Sequence, residues 1–514
     1  MSNFTWSKDQ LAIFSAVTEN LQTSFIIDAC AGASKTTTIV ELVNRLVTQH
    51  GVRPGTILAL AFNKKIAETL SERMPDGVVC STLNAFGHRA LRNYLPANRL
   101  SVSSWKEKNI WQNIPAFDTL SRIEQQNIIQ AHMAVKLHGA LLANFDTELC
   151  PEPDKALEYL QIPLRALPQA STAEELFREK LDAYTTELDA RDYVEYFRQA
   201  FTLDLYTSIA KGSISFQDQL FLPVVLKNIS LTTFPHVLID EAQDLGPLEH
   251  AMLEKIVSRY PKGRLIAVGD RAQAIYAFRG AHYNSLDKLA ESFSASYLGL
   301  PVSFRCPAAV VREAQRYDSR IQVWDKSPEG KVEVRTHWTL DTLQRPSTIL
   351  CRVNYPLIGA GLELIKSGIG AKFLARDLEG QIRDFFLAWK KKCKILPGMF
   401  LAIEAEIKRL SEDSPKKADR MLDMKECLEA IARHYSAETF DELDEGITKL
   451  FNSPGPITLA TIHKAKGLEW PTVYLLRPDL IPHPNATTDE QLQQEYNMLY
   501  VAITRAQEYF AYLQ

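Results

Sequence analysis

The chain has 514 residues, enough for several domains, and its 46% hydrophobic and 23% charged content is that of an ordinary globular protein. Its 58 lysines and arginines against 62 aspartates and glutamates give a formal net charge of −4, which excludes a protein that coats nucleic acid by charge alone but leaves room for a local basic groove. No apolar run is long enough for a membrane span, no secretory signal opens the chain, and the seven cysteines lack CxxC pairing, so a cytosolic, reducing setting is expected.

Taken in order, Trp6-Ser7-Lys8-Asp9-Gln10 precedes a helical stretch, and Gln10 is a candidate reader of an adenine edge. Ser24–Ala29 reads as a buried strand. It runs into Cys30-Ala31-Gly32-Ala33-Ser34-Lys35-Thr36-Thr37-Thr38, after which Ile39–Leu46 has helical spacing. Strand, small-residue loop, Lys-Thr and helix form the context of a phosphate-binding loop, with an ordinary strand–helix turn as the competing reading. The helix N-terminus points amides at an anion, Lys35 would reach the β- and γ-phosphates, and Thr36 would ligate Mg²⁺. Ala29 and Ser34 stand where the pattern's first and last glycines are expected, and a Cβ at Ser34 restricts the approach of backbone to phosphate.

Thr56–Ala61 is a second buried strand, followed by Phe62-Asn63-Lys64-Lys65, and Val78–Thr82 is a third, leading into Leu83-Asn84-Ala85-Phe86-Gly87. Strands alternating with helices predict a parallel α/β sheet with its functional loops at the carboxyl ends of the strands. Phe62 beside Asn63 suits base stacking with a phosphate contact, while burial in the core is the bland alternative. From Leu91 to Thr232 the pattern is mostly helical without a catalytic signature, and Trp105, Trp111, Tyr184 and Tyr196 are expected in its core.

Val237-Leu238-Ile239 ends in Asp240-Glu241-Ala242-Gln243-Asp244. Two adjacent carboxylates after a buried strand are costly unless something positive lies opposite. They are either a solvated acidic loop or a metal ligand, Asp240, beside a base, Glu241, that activates water. Arg264–Asp270 gives another strand and turn, after which Gln273 is placed to sense a γ-phosphate. Tyr276, Phe278 and Arg279 offer two aromatics and a cation for a single strand. A second α/β domain is expected to start near residue 281, with strand-like patterning resuming at Ser347–Asn354 and again at Ile457–Thr461. Residues 366–453 between them look helical, and Lys390–Lys394 reads as a solvated face. No repeat is apparent, and no further domain is expected after Gln514.

In this order the segments resemble the UvrD/Rep-like superfamily 1 DNA helicases from Gln10 to Ala506. The most specific stretches are Asp240–Asp244, Gly269–Ala281, His463–Trp470 and Leu499–Ala506. The resemblance implies an α/β fold of P-loop NTPase type, with two RecA-like parallel-sheet domains, each interrupted by a mostly helical insertion. The first domain would comprise residues 1–90 and 233–280 with an insertion at 91–232. The second would comprise 281–365 and 454–514 with a reduced insertion at 366–453. It implies ATP and Mg²⁺ between the domains, with Ala31, Gly32, Ala33, Ser34, Lys35, Thr36 and Thr37 around the phosphates. Asp240 and Thr36 would hold the metal, and Glu241 and Gln273 would act on the γ-phosphate. Arg305 and Arg505 would be arginine fingers, Phe304 would stack on adenine, and Glu469 would contact the ribose. Phe62, Asn63, Thr82, Tyr276, Phe278, Arg279, Asn354, Thr461 and His463 match positions that contact single-stranded DNA.

The implied activity is ATP-driven translocation on single-stranded DNA in the 3′ to 5′ direction, with unwinding. The implied partners are single strands, single/double-strand junctions and replication or repair proteins, for a cytoplasmic monomer without membrane contact. Two other readings stay open: a nucleotide-gated DNA-binding protein whose loop hydrolyses poorly, and an RNA-directed relative, because no residue here reads a 2′-hydroxyl. Three features depart from the family pattern. Ser34 replaces the loop glycine, Asn84 stands where a histidine is common, and the second insertion is short, which would favour translocation over unwinding.

Overall fold

The computed structural model describes residues 6–95, 100–115, 117–120, 122–153, 156, 160, 164–168, 171–184, 188, 190–276, 281–374, 376–413, 415–452, 454–484 and 486–514. It divides into two compact units. The first takes in the chain to Ala29, Ser34–Arg271 and Tyr276–Leu300, and the second Cys30–Ala33, Ala272–Ile275 and Pro301–Gln514.

Among the described residues the first unit holds eight strands: β1 (Phe25–Ala29), β2 (Ile57–Leu60), β3 (Val79–Ser81), β4 (Ser101–Val102), β5 (Ser213–Ile214), β6 (His236–Ile239), β7 (Arg264–Gly269) and β8 (Ser296–Leu300). Six of them form one parallel sheet in the order β3-β2-β6-β7-β1-β8. The inner strands β2 and β7 are buried along their whole length, as expected of strands covered on both faces, which is why they read as continuous apolar runs rather than alternations. Helices α1 (Lys8–Glu19), α2 (Lys35–Thr48), α3 (Lys64–Arg73) and α4 (Leu83–Tyr94) accompany the sheet, and α2, α3 and α4 start directly after β1, β2 and β3. Because all six strands run the same way, the loops that follow β1, β2, β3, β6 and β7 gather at one edge.

The expected start of a second domain at residue 281 is corrected by β8. Ser296–Leu300 pairs in parallel with Phe25–Ala29 and completes the first sheet, so the division falls between Leu300 and Pro301. As an edge strand with one fully buried residue, β8 lacks the apolar run that marks its inner neighbours.

Between β3 and β6 lies the helical insertion, with helices Lys106–Trp111, Arg122–Leu137, Ala173–Tyr184, Ala190–Lys211 and Asp218–Val225, and β4 pairing in parallel with β5. Its core stacks Trp111, Phe177, Phe197 and Phe201, with Phe177 and Phe197 parallel at 4.1 Å between ring centroids. Trp111 is buried and Tyr196 partly so, as expected, while the Tyr184 side chain lies outside the described residues. Trp105 departs from expectation at 64% exposed. The helix that starts at Lys106 turns Lys106, Glu107, Ile110 and Trp111 inward, and that phase leaves the residue before it outside.

The polar residues turned inward meet a buried ionic network. Lys136 Nζ lies 2.9 Å from Glu107, 2.9 Å from Asp204 and 2.5 Å from Asp218, and Lys106 Nζ lies 2.6 Å from Asp218 and also contacts Asp204. Trp111 Nε1 donates to His132 Nδ1 at 3.0 Å, which fixes the proton on Nε2, 2.9 Å from Asp204. Burial opposes the charge on Asp204, but the two ammoniums override it and hold the carboxyl well below its ordinary value.

The second unit contains β9 (Val302–Ser303) paired with β10 (Gln322–Val323), then β11 (Lys331–Arg335), β12 (Ser347–Cys351), β13 (Ala371–Phe373), β14 (Ile457–Thr461), β15 (Trp470–Leu476) and β16 (Ala506–Leu513). The last six form a parallel sheet in the order β11-β16-β15-β12-β14-β13. Four helices, Arg376–Lys390, Leu396–Asp413, Pro415–Tyr435 and Phe440–Phe451, lie between β13 and β14. Lys391, Lys392 and Lys394 are exposed there, and Lys390 pairs with Asp441 at 3.0 Å. Among the described residues no helix is long and apolar enough to cross a membrane.

Candidate nucleotide site and strand-binding residues

In the first unit, the loop after β1 delivers Ser34, Lys35 and Thr36 to the start of α2, whose first amides have no partner within the helix. Ser34 adopts φ 61°, ψ 39°, the left-handed conformation for which a glycine is expected. Its side chain makes no cap, so the amides at the helix start stay directed outward. Thr36 Oγ1 donates to Asp240 Oδ2 at 2.8 Å, and Lys35 Nζ lies 3.5 Å from Glu241 Oε1. The two motifs predicted from widely separated stretches are therefore one cluster.

Asp240 follows β6 and is buried, with its amide bonded to Leu60 O. Burial, and then the Glu241 carboxylate beside it, push the Asp240 pKa up to about 6 against the pull of Lys35 and the Thr36 hydroxyl. A buried carboxylate with a hydroxyl at 2.8 Å is the hard oxygen-donor pair that Mg²⁺ takes, and a divalent cation would offset the charge that burial penalises. Glu241 is itself left-handed at φ 55°. Gln243 Nε2 donates to its Oε2 at 2.6 Å, and Gln243 Oε1 accepts from the Asp270 amide at 3.0 Å, which ties the loop after β6 to the end of β7.

Gln10 is fully buried and differs from expectation. Its Oε1 accepts from Ser7 N at 3.0 Å in a capping box and its Nε2 donates to Thr38 Oγ1 at 3.0 Å. Both ends of the amide are engaged by the protein, so Gln10 fastens α1 to α2 rather than presenting a free edge to a base. Thr37 Oγ1 accepts from Arg73 at 3.1 Å.

In the second unit, Gln273 and Arg505 meet, with Arg505 Nη2 3.4 Å from Gln273 Oε1. Arg505 is buried, and the carbonyls of Val501 and Leu468 and the Thr504 hydroxyl hold its guanidinium. Arg305 ion-pairs with Glu469, so the expected arginine finger and the expected ribose ligand are partners of one another. Gly32, at φ +74°, packs so closely that a Cβ would lie 2.7 Å from Arg305 Cβ, and its carbonyl accepts from Phe304 N at 3.0 Å. The Ala31 amide donates to Tyr500 Oη at 3.0 Å, and the Ala33 amide donates to Cys30 O. The Phe304 ring meets Trp324 edge-on at 5.6 Å.

Of the expected strand-binding residues, Phe62 is 48% exposed after β2, and its ring lies parallel to Tyr276 with centroids 6.5 Å apart. Asn63 caps α3 through Ile66 N, and Thr82 caps α4 through Ala85 N. Thr461 ends β14, Asn354 follows the neighbouring β12, and His463 lies in the short helix Ile462–Ala465 directly after Thr461. Phe278 and Arg279 lie outside the described residues.

The sequence reading missed several residues. Gln243, which positions Glu241, lay within the acidic motif and was not given a role. Tyr500 likewise lay within the last motif, and only the contact with Ala31 reveals its use. Phe216 is 60% exposed, and its carbonyl accepts from Asn84 Nδ2 at 3.0 Å, which is what the residue in place of the common histidine does here. No sequence signal marked Phe216 as exposed.

A phosphate-loop helix start opposite an Asp-Glu pair, in a chain with two parallel six-stranded sheets, defines a P-loop NTPase of the RecA-like class. The family model for the UvrD/REP helicase N-terminal domain matches residues 10–294, and that for the UvrD-like helicase C-terminal domain matches residues 400–512. The chain belongs to the UvrD/REP helicase family. It is 25% identical over 547 residues to F-box DNA helicase protein 1 of Schizosaccharomyces pombe, covering 94% of this chain and 54% of that protein. It is 24% identical to DNA helicase II of Haemophilus influenzae, covering 56% and 37%, and 22% identical to ATP-dependent DNA helicase PcrA of Bacillus subtilis, covering 94% and 79%. The chain thus spans about half, or less, of the length of the first two relatives.

Proposed function

We propose that the chain is an ATP-dependent single-stranded DNA translocase and helicase that moves 3′ to 5′. The observation that carries this reading is the cluster in which Lys35 faces Glu241 and Thr36 faces Asp240 at the carboxyl edge of a parallel sheet. The relatives named as ATP-dependent DNA helicases support the same activity. Lys35 and the amides at the start of α2 would bind the terminal phosphates. Thr36 and Asp240 would hold Mg²⁺, which when bound neutralises charge on the phosphate oxygens. Glu241, oriented by Gln243, would orient the attacking water and accept its proton. Arg505, positioned beside Gln273, and Arg305 would supply positive charge to the transferred phosphoryl group. Phe62 and Tyr276, with their parallel rings, would stack on bases, which makes the binding tolerant of sequence. The proposed setting is cytoplasmic, with strand junctions as substrates.

Steady-state ATPase with and without single-stranded DNA tests this reading, with Lys35→Ala as control. Strong stimulation that the variant loses supports a DNA motor. A substrate with a 3′ tail should be unwound and one with a 5′ tail should not. RNA that activates as well as DNA would move the reading to an RNA-directed helicase. One observation favours a second reading. Ser34 holds a left-handed conformation that opposes a side chain, so ATP and DNA binding without turnover would identify a nucleotide-gated clamp instead.

A further inference from the structure

Trp105 and Phe216 are among the most exposed large apolar side chains of the protein, at 64% and 60%. They arise in stretches more than a hundred residues apart, yet the fold brings them to the same place. β4 and β5 are parallel, with Val102 opposite Ile214, and the ladder continues through a bond from Ser103 N to Ile214 O. Trp105 follows Val102 by three residues and Phe216 follows Ile214 by two, so both leave the same end of the ribbon. Beneath them, Lys106 Nζ lies 2.6 Å from Asp218 Oδ2, which locks the residue after Trp105 to the loop that carries Phe216. Ser103 Oγ accepts from the Trp105 amide, and Asp218 Oδ2 accepts at 2.8 Å from the amide of Ser215, the residue before Phe216. Lys108 Nζ stands 5.3 Å from the Trp105 ring centroid. Asn84, which bonds Phe216 O, lies two residues from Thr82 at the start of α4, so this pair continues the strand-binding edge onto the insertion.

From this arrangement we infer that Trp105 is a base-stacking contact for single-stranded DNA on the helical insertion, with Lys108 meeting the adjoining phosphate. The inference rests on the strand-binding reading proposed above. An exposed indole with a cation over one face leaves its other π-face for a base and sets a charge beside the phosphate. The buried Lys106–Asp218 pair anchors the residue that follows the indole.

The test is fluorescence anisotropy of a labelled oligothymidylate titrated with the full chain, without nucleotide, at several salt concentrations. Trp105→Ala should weaken binding about tenfold, the lower part of the range for losing one stacked base. Trp105→Phe should restore most of that loss. Trp105→Ala should leave the slope of log affinity against log salt unchanged, while Lys108→Ala should reduce it by about one. ATP hydrolysis without DNA and the thermal midpoint should match the wild type. Wild-type affinity in Trp105→Ala, or a loss that Trp105→Phe does not restore, overturns the inference and leaves the helicase reading intact. A wild-type chain that binds no single strand overturns both.

Discussion

Gln243 holds Glu241: its Nε2 donates to the Glu241 Oε2 at 2.6 Å, and its Oε1 is fixed by the Asp270 amide at 3.0 Å. The proposed base is thereby aimed by a neighbouring amide that is itself anchored to the end of β7. Gln243→Leu keeps the size of the side chain but frees the carboxylate. The expected result is a fall in kcat of about tenfold or more with little change in KM for ATP, read from steady-state kinetics. An equal fall in ATP affinity would show that Gln243 acts on binding instead.

Ser34 sits at φ 61° with a side chain that makes no capping bond. A left-handed residue with a Cβ costs roughly 1–2 kcal/mol. Part of the gain from glycine is offset by the greater freedom it gives the unfolded chain. Ser34→Gly is expected to stabilise the first unit by about 0.5–1 kcal/mol in urea unfolding and to tighten nucleotide binding measured by titration.

Gly87 on α4 packs so tightly that a Cβ would lie 1.8 Å from Gln219 O. That carbonyl is backbone and cannot swing aside. Gly87→Ala should destabilise by about 3 kcal/mol, and urea unfolding reads the loss directly.

The ionic network predicts an asymmetry. Lys136→Met takes from Glu107 its ammonium and leaves Lys106 alone to face both Asp204 and Asp218, and should cost about 3–5 kcal/mol, because three buried carboxylates then share one cation. The deficit should shrink at low pH as a carboxylate takes up a proton. Unfolding of the variant and the wild type at matched pH values measures it.

His250 sets a second pH dependence. Its Nε2 lies 2.9 Å from Ser285 Oγ, and that hydroxyl donates to Ala242 O. Burial, then His282 and Lys288, lower its pKa from 6.5 to about 3. The unfolded chain takes up the proton below pH 6.5 while the folded chain does not, so the stability His250 confers is complete above that pH and lost as pH falls. Between pH 7.5 and pH 5 the wild type should lose about 2 kcal/mol relative to His250→Gln. A constant difference between the two proteins would show that His250 titrates alike in the folded and unfolded chain.

The sequence made the nucleotide cluster legible because its chemistry is local. Lys35 and Thr36 must start a helix after a strand, and Asp240 and Glu241 must end one, and both requirements appear within ten residues. Ser34 stands out in the sequence as the place where glycine is expected, but its left-handed backbone does not. What stayed hidden depends on partners far along the chain. Nothing in the sequence marks Lys106 and Lys136 as buried, yet they lie against carboxylates 112 and 68 residues away. Trp105 read as core because aromatics usually are, and only the phase of the following helix turns it outward. β8 read as the start of something new because an edge strand carries a weak apolar pattern.

The placement of β8 also bears on how the protein is born. β1 is bounded by β7 on one side and β8 on the other, so both its neighbours come from residues 264–300. On a ribosome, Phe25–Ala29 emerges early and then waits for some 270 further residues, on the order of tens of seconds at ordinary synthesis rates. Through that interval an apolar strand has neither of its partners. A pause placed before residue 300 would lengthen the time this strand spends unpaired.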